Sequence, residues 1–527
     1  MARKAAAACR EFAPTPTLKL RLCLQLLERA VDNELLKPLH KAVLTLDVDE
    51  RHYWIGTFYT LLLSADDRRK QATYFTPPHL AHGVIALAQQ AGFDLRKHSV
   101  IDPAAGGAAF LSMIAGQMRA ARASSGDIAT RLAGMEIDSG LARLAEALIG
   151  RRLSMSVDSG SIISHRDSLS LRAPSQHDLV IANPPYGRLL DDPSGHRWKQ
   201  VCHAGHINKF ALFAELCLRL AKPDGLVALV LPSSFVGGPL YDKLRAHIRQ
   251  NAEVLTIAAV TAREEVFVDV QQDITVLLAR AGRAHDAKKA VTFGDFSASK
   301  PFKARMAGRL PVASGAAWTP PLAPVGMAHG GATLTDYGAD VRSGYFVWNR
   351  EQPRMRLRWY SESDLPLIWA TNIRAGTFCR PVARWRDGVD FVNFEKDASD
   401  APIIRRDAVV LQRTTNSSQP RRLIAARVSP SVIKEWGGFV TENHTIVITA
   451  KSTRHLDLVA ALLNSAAADA RYRRLSGTAS ISVQLLRTLD LPRPEVMARA
   501  LAKFESTEEA VEWAYLESSR LGMEAVA

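Results

Sequence analysis

The chain has 527 residues, of which 47% are hydrophobic and 23% are charged, and its formal net charge is +14. This length suffices for a large core and for more than one domain. The composition excludes a disordered chain, and no apolar run approaches the about 18 residues that a membrane-spanning helix needs. The five cysteines are scattered without Cys-x-x-Cys pairs, which disfavours a disulfide framework and a zinc site and favours a reducing cytoplasm. The basic surplus suits a polyanionic partner without identifying one.

Taken in chain order, apolar residues at helical spacing predict helices over residues 18–72. After the helix-start signal Thr76-Pro77-Pro78, short β-rich runs alternate with amphipathic helices up to about residue 283. Strands that alternate with helices predict a doubly wound, largely parallel sheet. The predicted strands are Val100–Asp102, Ala133–Glu136, Asp178–Ala182, Gly225–Leu231, Val254–Ile257 and Ile274–Leu278, and helices are predicted at Pro78–Ala91 and Phe210–Ala221.

The second half of the chain has a mixed and irregular pattern. The segment of about residues 297–339, which is rich in Pro, Gly and Ala, predicts a boundary between the two halves. A charged helix is predicted near Glu495–Leu521. The predicted organisation is a helical N-terminal region 1–72, a catalytic domain 73–296, a linker 297–339, a further domain 340–494 and a C-terminal helix 495–527.

The segment Val100–Phe110 joins a predicted strand to a predicted helix through a run of small residues. Such a turn lets the backbone approach a nucleotide-like ligand, although an ordinary glycine turn is equally consistent with it. Glu136 lies at the end of the next predicted strand, where a carboxylate can bind ribose hydroxyls. Glu136 comes 30 residues after Gly106, and no Gly-x-Gly-x-x-Gly is present. A dinucleotide fold has about 20 residues here, so the spacing disfavours NAD and favours a smaller adenosyl cofactor.

The sequence Asn183-Pro184-Pro185-Tyr186 directly follows the predicted strand Asp178–Ala182. An exocyclic amine is a poor nucleophile because its lone pair is delocalised into the aromatic ring. The Asn183 side-chain carbonyl and the Pro184 main-chain carbonyl can each accept one N–H of such an amine, which directs the lone pair towards a methyl donor. Proline stiffens this corner, and Tyr186 offers a face for base stacking. A plain turn is the alternative, which the α/β context disfavours.

The order of these motifs resembles that of the gamma-type amino-methyltransferases of bacterial restriction–modification systems, which act on N6 of adenine in DNA. The resemblance spans residues 71–280. Residues 102–110 resemble the family's glycine motif, usually Asp-Pro-Ala-Cys-Gly-Ser-Gly-Ala-Phe-Leu. Ala105, Gly107 and Ala108 depart from it, so that the second glycine is missing. We expect the turn to survive because alanine is small.

The resemblance implies S-adenosylmethionine as the cofactor and assigns roles to individual residues. Glu136 and Ile137 correspond to a pair that contacts ribose and adenine, Asp167 to an acid that reads the cofactor's amino group, and Phe213 to an aromatic that covers the cofactor adenine. The implied catalytic residues are Asn183, Pro184, Pro185 and Tyr186, with Tyr186 and Phe267 stacking on the target base. The implied cofactor-binding residues are Tyr74, Thr76, Asp102, Ala104, Gly106, Glu136, Ile137, Asp167, Asn183 and Phe213.

Arginine clusters with interleaved Thr, Ser, Asn, Gln and Tyr occur in the second half of the chain. Most charge clusters are solvated faces, but repeated clusters beside a base-methylating site favour phosphate contacts and base readout. The predicted DNA-binding residues are Arg405, Arg406, Arg413, Arg421, Arg422, Arg473 and Arg474. Cys202, His203 and His206 lack the further ligands that zinc needs, so no metal is expected.

The expected fold is α/β: a Rossmann-like S-adenosylmethionine-dependent methyltransferase sheet with a helical N-terminal cap and a mixed α+β C-terminal target-recognition domain. The expected activity is methylation of a flipped adenine at N6 in double-stranded DNA. The expected setting is the bacterial cytoplasm, with the enzyme at the nucleoid, a separate restriction endonuclease as partner and no membrane. The alternatives are an RNA or protein (glutamine) methyltransferase, a fused restriction–modification enzyme and a DNA-binding module with an inactive site. The intact motif at Asn183 disfavours the last of these.

Overall fold

The computed structural model forms two compact units, Met1–Trp318 and Thr319–Ala527. The division falls inside the segment 297–339 where the sequence predicts a boundary. None of the helices that the structure describes is long and apolar enough to cross a membrane. The residues described are 2–64, 75–154, 162–171, 176–189, 197–260, 274–297, 300–311, 316–318, 330–348, 351–357, 361, 363–379, 391–394, 402–414, 419, 421–475 and 480–524.

The first unit alternates helices with strands, as predicted. Its helices are α1 (Ala2–Cys9), α2 (Pro16–Gln25), α3 (Lys37–Leu44), α4 (Val48–Leu61), α5 (Pro78–Gln90), α6 (Ala109–Ala120), α7 (Ser125–Arg131), α8 (Ser139–Leu153), α9 (Trp198–Val201), α10 (Lys209–Leu220), α11 (Ser234–Gly237) and α12 (Asp242–Asn251). Its strands are β1 (Val100–Asp102), β2 (Leu132–Glu136), β3 (Ile163–His165), β4 (His177–Ala182), β5 (Ala221–Pro232), β6 (Ala252–Val260), β7 (Ile274–Ala281), β8 (Val291–Ser297) and β9 (Lys300–Gly308).

These strands form one nine-stranded sheet in the order β3-β2-β1-β4-β5-β7-β6-β8-β9. The strands from β3 to β5 are parallel, and β7 runs antiparallel to β5 and β6. The predicted doubly wound, largely parallel fold is therefore confirmed. The order reverses between β1 and β4, and in such sheets ligands bind at the carboxyl ends of the strands beside this point.

Apolar side chains cover both faces of the sheet. In β4, Leu179 and Ile181 pack in one core with residues of α5, α6 and α8, whereas Val180 and Ala182 pack in the other with α10 and α12. Successive side chains of a strand point to opposite faces, so a strand buried on both sides is apolar throughout. This explains why the sequence shows β4 as a continuous apolar run.

The N-terminal helices pack on the sheet-containing fold through α8. Their apolar residues share a core with Leu141, Leu144 and Leu148 of α8. Helix α4 begins after Asp47, whose side chain accepts a hydrogen bond from Glu50 N, and α8 begins after Asp138, which caps Leu141 N in the same way. The predicted helical region is thus part of the first compact unit.

The sheet continues further along the chain than the sequence predicts. Strand β9 lies in the stretch expected to be linker, yet it pairs antiparallel with β8. Its lysines, arginine and glycine hide the strand pattern, because an edge strand exposes one face to water and needs few apolar residues. The sheet therefore extends to Gly308, whereas the linker was expected to begin at residue 297.

The second unit combines helices and small sheets. Its helices are α13 (Pro430–Trp436), α14 (Thr453–Leu463), α15 (Ala466–Leu475), α16 (Val483–Arg487), α17 (Pro494–Lys503) and α18 (Thr507–Glu524). Its strands are β10 (Gly331–Ala332), β11 (Ala339–Ser343), β12 (Met355–Arg356), β13 (Asp364–Ile368), β14 (Ile373–Arg374), β15 (Thr377–Phe378), β16 (Phe391–Asn393), β17 (Ala408–Gln412), β18 (Ala425–Val428), β19 (Val440–Thr441), β20 (Thr445–Ala450) and β21 (Leu491–Pro492). The single C-terminal helix predicted near 495–521 is instead the pair α17 and α18.

Two four-stranded sheets organise this unit. One is antiparallel in the order β11-β20-β17-β18, and the other is mixed in the order β12-β16-β13-β19. Helix α14 packs on the first sheet, where Leu456, Val459 and Leu462 are fully buried.

Candidate active site

A cavity of about 480 Å³ lies where β1, β2 and β4 end. Asp102 closes β1, Glu136 closes β2 and Asn183 follows β4, so the parallel strands bring these three side chains to one edge of the sheet. The cavity wall includes nine of the ten predicted cofactor residues: Thr76, Asp102, Ala104, Gly106, Glu136, Ile137, Asp167, Asn183 and Phe213. The tenth, Tyr74, lies outside the described residues.

The glycine-like turn after β1 is formed without its second glycine. Asp102 Oδ1 accepts a hydrogen bond from Ala104 N at 2.9 Å and fixes the start of the turn. Gly106 has φ +52° and Ala108 has φ +57°, and helix α6 begins at the next residue. Ala108 thus occupies the left-handed conformation that a side chain disfavours and glycine adopts readily. The turn is present as expected, but with backbone strain at Ala108.

The side chain of Phe75 packs against this turn. A Cβ atom added to Gly107 would lie 2.2 Å from Phe75 Cε1, so only a glycine allows this approach. Phe75 also lines the cavity. Tyr74 and Thr76 were predicted to bind the cofactor, but Phe75 between them was not. Its aromatic side chain beside Thr76 could have indicated a place in the cavity.

Glu136 is fixed by the backbone of two segments. Its Oε2 accepts from Gly106 N at 3.0 Å and its Oε1 accepts from Asp138 N at 2.9 Å. Burial raises the pKa of Glu136 above its usual value, and these two hydrogen bonds oppose the rise. Burial and the charge of Glu136 raise the pKa of Asp102 to about 8. The cavity therefore gathers carboxyl groups whose charged forms a cationic ligand would stabilise.

A tyrosine from the N-terminal helices reaches this carboxylate cluster. The Tyr59 hydroxyl, on α4, donates to Asp138 Oδ1 at 2.6 Å, and the Tyr59 side chain is 1% exposed. The same Oδ1 accepts from Leu141 N at 2.9 Å and caps α8. Tyr59 thus supports Asp138, whose main-chain N–H in turn holds Glu136. Tyr59 could not be predicted from the sequence, because the contact spans 79 residues.

Asn183 has both ends of its carboxamide occupied. Its Nδ2 donates to Thr76 Oγ1 at 3.2 Å, and its Oδ1 accepts from the Tyr186 hydroxyl at 2.8 Å. The same hydroxyl lies 3.2 Å from the main-chain oxygen of Val230. Burial raises the pKa of Tyr186, which keeps the hydroxyl protonated as a donor. These contacts fix which way the amide points.

Tyr186 therefore contacts Asn183 through its hydroxyl, whereas the sequence analysis assigned it a stacking face. Its ring meets that of Phe210 edge-on, with centroids 6.4 Å apart. Pro185 lines the cavity and Pro184 is buried beside it. Phe267, the second predicted stacking residue, lies outside the described residues.

Lys209 lines the cavity but was not among the predicted site residues. It begins α10 four residues before Phe213, and its main-chain N–H donates to Gly187 O at 2.9 Å. Burial lowers the pKa of Lys209, and the nearby Asp167 opposes this change. Lys209 lies four residues before the predicted cofactor residue Phe213, but lysine side chains are mostly exposed, so its position in the sequence did not indicate a place in the cavity.

No metal was expected at Cys202, His203 and His206. Cys202 is buried, and His203 Nε2 lies 2.6 Å from Asp242 Oδ1. Across the described ranges, no group of three or more His, Cys, Asp and Glu side chains is arranged to hold a metal ion.

The predicted DNA-binding arginines of the second unit differ in burial and in their partners. Arg422 is only 3% exposed, which removes its guanidinium from any contact with a large partner. Arg421 pairs with Glu508 at 2.8 Å, and Arg473 pairs with Asp469 at 2.7 Å. Neighbours along a chain can point in different directions and pair with carboxylates far away in sequence, which clustering in the sequence does not show.

The remaining arginines of this set contact main-chain or hydroxyl oxygens. Arg405 donates to Gly437 O at 3.1 Å, Arg406 to Thr449 Oγ1 at 3.1 Å and Arg413 to Asn443 O at 3.2 Å. The side chain of Arg474 lies outside the described part of the structure. Arg405, Arg406 and Arg413 therefore keep donors that no carboxylate among the described residues neutralises.

Comparison with known proteins gives one family match. Residues 51–310 match the model of the N-6 DNA methylase family. No curated protein matches the chain in sequence.

Solved structures resemble the chain at low sequence identity. The DrdV–DNA complex has a TM-score of 0.50 at 11% identity and covers 91% of this chain and 61% of its own. The type IIL restriction–modification enzyme MmeI in complex with DNA has a TM-score of 0.49 at 11% identity, covering 98% and 90%. A type I restriction–modification methyltransferase subunit from Streptococcus thermophilus has a TM-score of 0.35 at 20% identity, covering 50% and 56%. At such identities the likeness concerns the fold.

Proposed function

We propose that this chain, whose residues 51–310 match the model of the N-6 DNA methylase family, transfers a methyl group from S-adenosylmethionine to N6 of an adenine in double-stranded DNA. The observation that carries the proposal is the position of Asn183, whose amide lines the same cavity as the carboxyls of Asp102 and Glu136. One cavity thus combines groups for an adenosyl ligand with an acceptor for an exocyclic amine.

The cavity residues fit S-adenosylmethionine. A volume of about 480 Å³ is ordinary for a small-molecule site. Glu136 and Asp167 can accept hydrogen bonds from ribose hydroxyls and from an amino group, and Phe213 supplies an apolar wall. The raised pKa of Asp102 reflects a buried carboxyl that a cation would stabilise. S-adenosylmethionine, when bound, supplies an electrophilic methyl group on a positively charged sulfonium.

The residues of the chain activate the amine by accepting its protons. Asn183 Oδ1 and the main-chain oxygen of Pro184 each accept one N–H, which localises the nitrogen lone pair for in-line attack. Thr76 accepts from Asn183 Nδ2 and therefore keeps Oδ1 turned towards the amine. No covalent enzyme intermediate is required, and the methylated nitrogen loses its extra proton after transfer.

The target adenine must leave the duplex to reach this cavity. We propose that the base flips out and that its amine uses the second lone pair of Asn183 Oδ1, while the Tyr186 hydroxyl keeps the first and fixes the direction of the amide. The ring of Tyr186 then stacks on the base, with Phe267 as a second wall. DNA as the substrate follows from the family of residues 51–310, and the second unit serves target recognition in this proposal.

The biological role proposed is the modification activity of a restriction–modification system. Methylation of the recognised site would protect host DNA from a separate endonuclease in the cytoplasm, and the DNA substrate would hold the enzyme at the nucleoid.

The proposal is tested by offering three substrates to the purified chain. Plasmid DNA, total RNA and a protein extract each receive methyl-labelled S-adenosylmethionine, with wild type and Asn183→Ala in parallel. We expect label in DNA alone, reduced at least about 100-fold by Asn183→Ala, because an acceptor in the transition state is lost. Because Asn183 also lines the cofactor cavity, calorimetry of S-adenosylmethionine binding to the variant separates a loss of catalysis from a loss of cofactor affinity. Label only in RNA or protein would overturn the choice of substrate.

A further inference from the structure

The antiparallel sheet of the second unit collects polar groups at one end. Ser343 pairs with Ile446, Gln412 with Thr445, and Leu411 with Ala425. Strands β11 and β17 therefore finish where β20 and β18 begin. We call this the reading end of the sheet, and it comprises residues 344–346, 413–414 and 442–444 with the β14–β15 hairpin.

The turn before β20 presents a histidine and turns its carboxylate inwards. Glu442 is 2% exposed and accepts from His444 N at 2.9 Å. Glu442 Oε1 also lies 2.6 Å from His444 Nδ1, while the His444 side chain stays 55% exposed. The carboxylate thus orients the imidazole towards solvent without exposing its own charge, which would repel a phosphate backbone.

Arg413 lies over this turn. Its main-chain N–H donates to His444 O at 2.8 Å, and its guanidinium donates to Asn443 O at 3.2 Å. In the described part of the chain, Arg413 makes no ion pair, unlike Arg421 and Arg473. Arg413 Nε and Asn443 Oδ1 are buried and have no hydrogen-bond partner among the described residues. These two atoms are out of reach of a partner, and what Arg413 offers at this turn is a positive charge that no carboxylate of the described residues pairs with.

An exposed tyrosine stands beside the same turn. Residues 344–346 are held to it because Gly344 N donates to Thr445 O at 2.9 Å and Phe346 N donates to Thr441 O at 3.0 Å. Gly344 is required, since a Cβ atom there would lie 1.9 Å from Glu442 O. Phe346 is fully buried and Tyr345 is 51% exposed. The ring of Tyr345 therefore faces outwards.

The β14–β15 hairpin adds a second arginine. Gly376 N donates to Ala425 O at 2.9 Å, and Gln412 Nε2 donates to Ile373 O at 2.7 Å, so both contacts anchor the hairpin at the reading end. Arg374 and Thr377 are exposed.

The opposite end of the sheet differs in charge pairing. There Arg427 pairs with Asp407 at 2.6 Å and with Asp457 at 2.9 Å. Arg405 and Arg406 precede β17 and also lie at that end. The two ends of one sheet thus separate the predicted DNA-binding arginines into different groups.

We infer that the reading end is the surface that reads the target sequence in double-stranded DNA. Arg413 supplies donors for the major-groove acceptors of guanine, and His444 Nε2 supplies an acceptor because its Nδ1–H faces Glu442. Arg374 and Tyr345 contact the flanking phosphates. The inference rests on the proposed function, and it excludes Arg405 and Arg406 from base contacts. The cationic and aromatic groups, with the carboxylate turned inwards, complement a polyanion that carries hydrogen-bonding edges.

The experiment compares the methylated sequence of variants at the two ends of the sheet. Wild type, Arg413→Ala, Arg413→Lys and Arg374→Ala are set against Arg454→Ala, an exposed arginine that follows β20 at the opposite end. Each protein methylates a randomised DNA library with S-adenosylmethionine, and the modified positions are read by sequencing. Thermal unfolding and cofactor affinity show whether each variant is folded.

We expect Arg413→Ala to lose about tenfold or more in discrimination at one base position, since a lost bidentate contact has this size. Arg413→Lys should relax the same position. Arg374→Ala should weaken methylation of all sequences alike and reduce the salt dependence of binding by about one charge. Arg454→Ala should keep the wild-type motif and rate.

The outcomes separate the inference from the proposed function. If the wild type methylates no DNA, the proposed function fails. If the wild type methylates a defined motif and folded Arg413→Ala and Arg413→Lys keep that motif unchanged, the reading end is wrong. A changed motif in Arg454→Ala would place recognition at the opposite end and also overturn the inference.

Discussion

The two units of the molecule differ in how their functional residues reach one another. In the first unit, residues far apart in sequence, such as Thr76, Glu136 and Phe213, line one cavity. In the second unit, residues close in sequence separate, so that Arg421 pairs with Glu508 while its neighbour Arg422 is buried. Strand ends of a parallel sheet share one edge, whereas a run of arginines has no rule that gives it a common face. The order of motifs therefore places side chains in the first unit, whereas clustering of arginines in the sequence does not place them in the second.

After Asn183→Ala, the largest expected effect tests whether the residues that come together in the first unit act in catalysis. Tyr186→Phe keeps the ring and removes the hydroxyl that donates to Asn183 Oδ1. We expect kcat to fall about tenfold because one oriented hydrogen bond is lost, while the KM for S-adenosylmethionine stays constant. Tyr186→Ala, which also removes the ring, should lose more. Steady-state kinetics on plasmid DNA measure both, and full activity of Tyr186→Phe would leave Tyr186 with a stacking role alone.

A second prediction sets one buried tyrosine in each unit side by side. Tyr59→Phe removes the hydrogen bond to Asp138, so we expect Kd for S-adenosylmethionine to rise about fivefold. Tyr337→Phe removes an equally buried hydroxyl, which donates to Pro492 O at 2.7 Å in the second unit. It should leave this Kd unchanged. Calorimetry measures both constants. Equal effects of the two variants would show that Tyr59 acts only through general stability.

A third prediction uses the raised pKa of Asp102. An ordinary Asp pKa is 3.8, and the folded value is about 8, so the folded state binds the proton more tightly. The cofactor-free protein should therefore lose stability as pH rises from about 4 to about 8. Asp102→Asn removes this penalty. Its Tm should exceed that of wild type by more at pH 8 than at pH 5, and a constant difference would contradict an elevated pKa.

The smallest effect concerns the strained turn. Ala108 has φ +57°, so Ala108→Gly should raise the free energy of unfolding by about 0.5–1 kcal/mol. Gly107→Ala should instead lower the free energy of unfolding, because the added Cβ would meet the Phe75 ring. Denaturant unfolding measures both variants. A destabilised Ala108→Gly would show that the backbone at this position is not strained.

Much of the first unit could be predicted from sequence for a physical reason. Buried parallel strands such as β4 are continuous apolar runs, and the residue after each strand is placed by the sheet itself. Thr76, Asp102, Glu136, Asn183 and Phe213 all follow this logic or lie in motifs beside it. The nine predicted cavity residues come together, although their roles stay predictions.

The contacts that could not be predicted depend on packing across long sequence distances. Tyr59 meets Asp138 only because α4 packs on α8, and Phe75 meets Gly107 only in the folded chain. Strand β9 was hidden because an edge strand needs few apolar residues. The burial of Arg422 could not be predicted, because its sequence neighbours do not include Asp469. The Asp469 carboxylate accepts a hydrogen bond from the main-chain N–H of Arg422 at 2.6 Å.

The most direct test of the central claim identifies the methylated nucleoside. Plasmid DNA is incubated with S-adenosylmethionine and either wild type or Asn183→Ala, digested to nucleosides and analysed by mass spectrometry. The account predicts N6-methyldeoxyadenosine with wild type and its loss with Asn183→Ala. Methylation of another base, or equal N6-methyldeoxyadenosine from both proteins, would contradict a site in which Asn183 holds the adenine amine.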